Sequence, residues 1–368
     1  ARTGVYLGVM WTEYQHLLVA FKTPRNSFIG TGNGLSFLVG RPSFVFGLVG
    51  PSAVLDTACS SSLVAVRLAA QVTASGEALD AHAAGTQCML LAATFRILSD
   101  LNALSSDGRC KTLDASADGY GRGEGFAGIY IQKKRENSVQ NAAYSEESTV
   151  TILSGGVNQD GRSSTFTAPY GPSQERLIVD SLMEAFTTPV DVKQLSLHGT
   201  GTSLGDPIEI GAAGRALCGE VDANVALISS KTYLGHTEGT AGLTGLLISI
   251  ISAKQVASIS LLHCREMNPY VVTTLSSLTE TGSATKMSMP RSALTTCVTD
   301  KETDSQESIV TSTSSFGMSG VNAHCIIATN PWKGHGCNRD NVILTGSTRW
   351  FWCAHSPRML RATANFPD

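Results

Sequence analysis

The chain sets a thiol among side chains too small to cover it. Cys59 lies in "VLDTACSSSLVAVRLAAQ", after an apolar run and ahead of a segment with helical spacing. A cysteine at a helix start meets the positive end of the helix dipole and unpaired backbone N–H groups, which favour thiolate over thiol. The three serines that follow keep the turn uncrowded, as a nucleophile needs if a bulky substrate is to reach it. Taken alone, the stretch suits a structural buried cysteine equally well.

Two histidines widen the possibilities. In "LHGTGTSLGDPIE", His198 ends an apolar strand-like run and can point an N–H into a cleft, while Thr200 and Thr202 can hydrogen-bond a polar chain lying alongside. A satisfied histidine in a turn is the alternative. "SSKTYLGHTEGTAG" supplies Lys231 and His236, the latter just before an apolar helix. One cysteine and two glycine-flanked histidines, each at an element boundary, amount to a nucleophile with two N–H donors.

The elements that must hold these groups can be read from periodicity. Thr3 to Met10 and Thr149 to Gly155 read as buried strands with β-branched residues and glycine boundaries. Cys59 to Gln71 reads as a helix with Leu63, Val66 and Ala70 on one face. Ser173 to Phe186 reads as a second helix with Ser173 as N-cap, and Thr240 to Ala253 as a third, apolar nearly all round and therefore central. Glycine closes many of the apolar runs, which suggests tight strand-to-helix turns in an α/β body. Polar segments around Lys133–Ser148 and Thr299–Ser308 read as surface loops, and Pro331–Asp368 as a tail or linker without periodicity.

Composition narrows the function. The 368 residues are 42% hydrophobic and 15% charged, which favours a well-buried body over disorder. A net charge of −3 with no dense Lys/Arg run offers no basic field for nucleic acid. Nine scattered cysteines suit free thiols in a reducing compartment, and the longest apolar stretch, "LTGLLISIISA", falls short of the about 20 residues of a membrane span. "GYGRGEG" (Gly119–Gly125) has the wrong spacing for a dinucleotide-binding loop, and the tail pairs His335/Cys337 and Cys353/His355 match no common zinc spacing, so no metal is expected.

The blocks "DTACSSSLVA", "SSDGRCKTLDASADGYGRGEG", "GGVNQDGRSSTFTAPYGPSQ", "HGTGTSLGDPIE", "SSKTYLGHTEGTAG" and "SSFGMSGVNAH" resemble, in order, the β-ketoacyl synthase family, and in detail the ketosynthase domain of type I modular polyketide synthases. The resemblance runs from about Arg2 to Ala328. It implies an α/β fold, a thiolase-like αβαβα sandwich of two similar halves, with residues 1–330 as the domain. It also implies a decarboxylative Claisen condensation. Cys59 would carry the acyl chain as a thioester; His198 and His236 would hold the thioester carbonyl of a malonyl-type extender. Lys231 would pair with Glu209 and order the site, and Thr200 and Thr202 would contact the phosphopantetheine arm. The loop Phe316, Gly317 and Met318 would supply an oxyanion donor and a gate, with Met318 where Phe is common in the family.

The implied partners are an acyl carrier protein, a second copy of the chain, and acyltransferase and other synthase domains. Substrates ride on phosphopantetheine, with no cofactor bound directly, in the cytoplasm or a plastid. Family domains carry further residues before the position of Thr3, so the first half is expected to be incomplete and the isolated chain to be poorly soluble or inactive. Rival readings are a fatty acid synthase ketosynthase, a non-catalytic partner subunit, a thiolase and a papain-like protease. A non-catalytic partner would replace Cys59, a thiolase would use a second cysteine where His236 stands, and the flanking motifs of the protease are missing.

Overall fold

A computed structural model describes residues 2–24, 26–133, 150–217, 224–280, 286–289, 295–296 and 308–331. Of the two predicted polar loops and the predicted tail, nearly all lies outside these residues.

The first half runs β1 (Thr3–Val9), α1 (Glu13–Ala20), α2 (Ser27–Asn33), α3 (Leu35–Phe46), β2 (Ser52–Leu55), α4 (Ser61–Ser75), β3 (Asp80–Gln87), α5 (Ala92–Asp100) and β4 (Gly125–Gln132). Its sheet has the order β2-β1-β3-β4, parallel except for the antiparallel pairing of β4 with β3. The second half runs β5 (Val150–Gln159), α6 (Gly171–Glu184), β6 (Val192–Ser196), α7 (Gly205–Leu217), β7 (Asn224–Ile228), α8 (Lys231–Leu234), α9 (Ala241–Lys254), β8 (Ala257–Ser258), α10 (Pro269–Glu280), β9 (Lys286–Ser288), β10 (Thr295–Thr296), β11 (Ile309–Phe316) and β12 (Val321–Thr329). Six of these strands form a mixed sheet, β5-β12-β11-β6-β7-β9, and β8 pairs with β10.

The two sheets sandwich α4 and α9. Helix α4 packs on β1 and β3 from one sheet and on β5 and β12 from the other, while α9 packs on β11, β6 and β12 and against α4. Helix α3 lies against β2 and β1, and α6, α7 and α10 stack beyond the larger sheet. The result is the five-layered sandwich expected from the resemblance.

The apolar pattern explains the layering. Helix α9 is buried on nearly every side, with small residues such as Gly242, Gly245 and Ser249 facing away from its leucines, and Leu243, Leu246 and Leu247 join Leu63, Val66, Ala83 and Ile327 in the core between the sheets. A second core, with Leu195, Leu197, Ile210, Leu227 and Ile326, fills the space between the larger sheet and its outer helices. Burial of this kind is worth about 25 cal/mol per Å² of apolar surface. The approach of β1 to α4 depends on Gly8, where a Cβ would run into the backbone of Ser61 and Ser62.

Three predicted boundaries differ. Helix α4 begins at Ser61, so Cys59 sits in the turn before it. Helix α6 begins at Gly171 with Pro172 in its first turn, because proline's fixed φ starts the helix ahead of Ser173, which is not the N-cap. Strand β5 passes through Gly155 and Gly156 to Gln159, since pairing with β12 overrides the stop that two glycines suggest. Among the described residues no helix is long and apolar enough to cross a membrane.

Candidate active site

The site forms where four connections converge on one point between the sheets. After β2 the chain turns sharply, and Ala58 takes a left-handed φ of 55°. The Ser61 hydroxyl donates to the Ala58 carbonyl (2.6 Å) and accepts the Thr57 N–H (2.9 Å), which ties the turn to the start of α4. Cys59 is thereby held in the interior, its carbonyl accepting the Ser315 hydroxyl from β11 (2.7 Å).

His236 arrives from the turn after α8 and is fully buried. Its Nε2 lies 3.0 Å from Cys59 Sγ, and its Nδ1 accepts the backbone N–H of Glu238 (3.1 Å). His198 follows the extension of β6, and its Nδ1 accepts the backbone N–H of Phe316 (3.3 Å). A ring nitrogen that accepts an N–H carries no proton, so both neutral imidazoles hold theirs on Nε2. Both are therefore hydrogen-bond donors toward the cleft. Burial lowers the pKa of each well below the usual imidazole value, and the Lys231 charge lowers them further, so they stay neutral.

Cys59 Sγ, with one nitrogen from each histidine, makes a cluster of donor atoms within 4.8 Å of one another, compact enough to suggest a metal. The hydrogen bonds argue against one. A metal-bound histidine donates its second N–H to an acceptor, whereas here each Nδ1 faces a donor and Nε2 keeps its proton.

Burial, with the charge of Glu238, pushes the Cys59 thiol up to about 12; Lys231 and the backbone N–H groups of Met318 and Cys59 itself pull the other way. The expected thiolate at a helix start is thus corrected to a neutral thiol at rest, because desolvation outweighs the dipole. The same two N–H groups face the sulfur. Phe316 is buried with its ring 5.7 Å from that of His198, and Met318 stands half-buried on the turn of Gly317 that joins β11 to β12.

Lys231 and Glu209 are both buried beside the histidines, but not as the expected pair. Among the described residues no ion pair within 4.0 Å joins them. Glu209 on α7 instead accepts the N–H of His198 (2.6 Å) and of Gly199 (2.8 Å), satisfying two donors that a sharp turn leaves buried. Burial pushes it up to about 7, and Asp206 up to about 6, while burial lowers Lys231. Thr200 and Thr202 share a hydroxyl contact of 3.3 Å in the loop before α7, and Thr202 also accepts the Gly205 N–H.

Sequence reasoning missed a further set. Tyr120 sets its ring edge-on to that of His236, with centroids 4.7 Å apart. The segment Gly121–Gly123 pairs with His236 through the backbone, Gly121 accepting its N–H (2.7 Å) and Gly123 donating to its carbonyl (2.8 Å). Gly121 must be glycine, since a Cβ there would collide with the Gly108 carbonyl. Arg122, in the stretch set aside as a poor phosphate loop, is buried between Glu13 and Glu238. A lone arginine within a glycine-rich run was the signal.

A thiolase-like sandwich with one cysteine and two imidazole N–H donors at its centre is the arrangement that the family comparisons also point to. Residues 1–137 match the family described as "Beta-ketoacyl synthase, N-terminal domain" and residues 149–265 its C-terminal domain. The chain belongs to the β-ketoacyl synthase family. It is 34% identical to one of the proteins that make up the phenolphthiocerol/phthiocerol polyketide synthase of Mycobacterium tuberculosis, over 90% of this chain and 14% of that protein. It is 35% identical to an erythronolide synthase of Saccharopolyspora erythraea, over 89% of this chain and 9% of the relative. It thus spans well under a quarter of these relatives' length. Among solved structures it resembles the module 6 ketosynthase of the Bacillus subtilis bacillaene synthase, with TM-score 0.76, 28% identity, and 91% of this chain against 54% of that one. The oxazolomycin ketosynthase domain of Streptomyces albus gives TM-score 0.74 at 29% identity, over 89% of this chain and 55% of the other.

Proposed function

We propose that this chain is the β-ketoacyl synthase domain of a polyketide synthase, with residues 1–330 as the catalytic domain. The Cys59 sulfur attacks the thioester of an acyl carrier protein and takes the acyl group, while the proton that Cys59 gives up ends on the departing phosphopantetheine sulfur, which leaves as the carrier's thiol. A malonyl-type thioester then enters, and its carbonyl oxygen accepts the Nε2–H bonds of His198 and His236. The C–C bond to the carboxylate breaks, CO2 leaves, and its electron pair forms an enolate held by those donors. The enolate carbon attacks the acyl carbonyl on Cys59, whose oxygen is held by the N–H groups of Cys59 and Met318. Collapse leaves a β-ketoacyl chain on the carrier and returns the Cys59 thiolate, which takes a proton from solvent to restore the resting thiol. The electrons come from the broken C–C bond, so no strong base is needed.

The observation that carries this reading is the shared tautomer: two neutral imidazoles, each with Nδ1 filled by a backbone N–H, stand beside one thiol. Each such donor contributes on the scale of an oxyanion-hole hydrogen bond, about 3 kcal/mol. Thr200 and Thr202 are proposed to meet the phosphopantetheine arm, Lys231 and Glu209 to order the site, and Met318 to gate it. A second copy of the chain is proposed to cover the edge of β2 that no strand among the described residues pairs, next to the exposed rings of Phe44 and Phe46 on α3. The named relatives are polyketide synthases, which supports polyketide over fatty acid synthesis and an acyl carrier protein as partner. Incubation with a radiolabelled acyl-carrier thioester tests the assignment: one residue should be labelled, and Cys59→Ala should abolish the label. Label persisting on another cysteine overturns it.

A further inference from the structure

Residue 238 joins a strained backbone, which the chemistry above leaves unexplained, to the N–H on which that chemistry depends. Its backbone takes a φ of 42°, a left-handed conformation that costs a non-glycine residue roughly 1–2 kcal/mol. Its N–H is the one that fills His236 Nδ1. Strain of this kind persists only where the surroundings enforce it.

The enforcing contact is a buried three-membered ion cluster. Arg122 donates from Nε to Glu238 Oε1 (2.8 Å) and from one terminal nitrogen to Glu238 Oε2 (2.9 Å), a bidentate grip. The same terminal nitrogen donates to Glu13 Oε1 (2.8 Å), and the guanidinium stacks 4.6 Å from the centre of the Phe95 ring. All three side chains are withdrawn from solvent, at 0%, 0% and 2% exposure for Arg122, Glu238 and Glu13. Glu13 is the sole buried residue of α1, and its second oxygen accepts the N–H of Leu90 (2.6 Å) and Leu91 (2.7 Å). The cluster is thus anchored on the connection between β3 and α5, remote in sequence from His236.

We propose that Glu13, Arg122 and Glu238 form a positioning device that holds residue 238 in its left-handed conformation and thereby fixes His236 as an Nε2–H donor. Without that hold, relaxation of the residue 238 backbone swings its N–H away from Nδ1. The ring proton can then move to Nδ1, leaving a lone pair on Nε2. His236 is converted from donor to acceptor, and the enolate loses one of its two hydrogen bonds. His198 draws its own Nδ1 partner from Phe316 and is unaffected. Arginine suits the central place because its planar fork serves two carboxylates at once, which an ammonium cannot do with the same geometry.

The rate consequence rests on the proposed decarboxylation, but the tautomer does not, so the two can fail separately. The variant is Glu238→Gln, which keeps side-chain size and leaves Arg122 still paired with Glu13. In selectively 15N-histidine-labelled full chain, the ring nitrogen shifts report where each proton sits. The parent should show His236 wholly as Nε2–H; Glu238→Gln should show a mixture with Nδ1–H, and His198 should be unchanged. Decarboxylation of a malonyl-carrier thioester should fall about tenfold while acylation of Cys59 stays within about twofold, against the 1.4 kcal/mol that a factor of ten represents. A folded Glu238→Gln with the parent's His236 tautomer overturns the proposal. So does an equal loss in both half-reactions. If the tautomer shifts and no decarboxylation exists in the parent, the positioning device stands and the proposed function falls. Should Glu238→Gln not fold, Arg122→Lys is read in the same way, with the parent's tautomer again overturning the device.

Discussion

The rings of His198 and His236 stand nearly perpendicular, 84° apart in plane and 5.6 Å between centroids. Neither ring can replace the other, because each takes its Nδ1 partner from a different connection: Glu238 after α8 for one, Phe316 at the end of β11 for the other. Two donors on separate elements can hold a single oxyanion from two directions. Each should therefore matter singly to enolate formation and less to acyl transfer.

Replacing either histidine by alanine should slow CO2 release from a malonyl-carrier thioester by about a hundredfold, the usual cost of losing one oxyanion donor. Acylation of Cys59 should suffer less. Single-turnover measurement of the two half-reactions checks this. Equal loss in both would mean that the site has collapsed and that the donors have no separate task.

The buried thiol gives a second expectation. With Cys59 pushed up to about 12, its thiolate fraction rises tenfold per pH unit throughout the ordinary working range. Alkylation by iodoacetamide should climb with unit slope from pH 6.5 to 9 without levelling off. A plateau near pH 7 would show a thiolate at rest and a stronger helix-start effect than the burial allows.

The sequence makes the architecture legible where one pattern has one cause. Thr240 to Ala253, apolar all round, lies between the two sheets as α9, and His198 and His236 fall at element boundaries as their glycine neighbours suggest. The state of Cys59 is not legible, because a helix start can be read locally while desolvation depends on which elements close over it. Lys231 and Glu209 act on each other's charge without closing a direct ion pair, for a related reason. Opposite charges invite pairing, but the backbone donors of residues 198 and 199 compete for the same carboxylate and lie closer. Glu13 and Glu238 stay hidden because each meets Arg122 across more than a hundred residues of chain, which no local spacing records.

Buried histidines set an acid limit on stability. His324 on β12 is buried with Nδ1 2.9 Å from the Ser314 hydroxyl, and burial lowers it from 6.5 to about 3. Above pH 6.5 neither the folded nor the unfolded chain protonates it. As pH falls from there toward 3, the unfolded chain takes a proton that the folded chain refuses, so stability is lost on acidification at about 1.4 kcal/mol per pH unit from this group. His324→Gln removes that proton. Denaturant unfolding between pH 6.5 and 4 should show a slope shallower by about that amount, and an unchanged slope would contradict the burial argument.

Val256, just beyond the C-terminus of α9, adopts a φ of 50°, where its branched side chain is strained. Its N–H still bonds the Ala253 carbonyl, so the conformation is a helix-ending turn of the kind glycine prefers. Val256→Gly should raise the unfolding free energy by about 0.5–1 kcal/mol, the relief of strain exceeding the greater flexibility of the unfolded chain. A lower melting temperature would show that the valine side chain contributes more by packing than it loses by strain.

Glu209 and Lys231 separate two ways of ordering the site. If they act as an ion pair, removing either should have the same effect. The hydrogen bonds indicate otherwise, since both Glu209 oxygens are taken by the N–H groups of His198 and Gly199. A glutamine at this position has one acceptor oxygen and an amide that faces a donor, so one buried N–H is left unmet, at about 1–3 kcal/mol. Glu209→Gln should lower the melting temperature and slow decarboxylation, because the backbone that carries His198 loses an anchor. Lys231→Met removes a buried ammonium whose charge burial already disfavours, so it should melt no lower than the parent. It should also let the imidazoles of His198 and His236 take up protons at higher pH, since the Lys231 charge helps to keep them neutral. Thermal melts and the acid limb of the decarboxylation rate distinguish the two cases, and equal destabilisation by both substitutions would restore the ion pair.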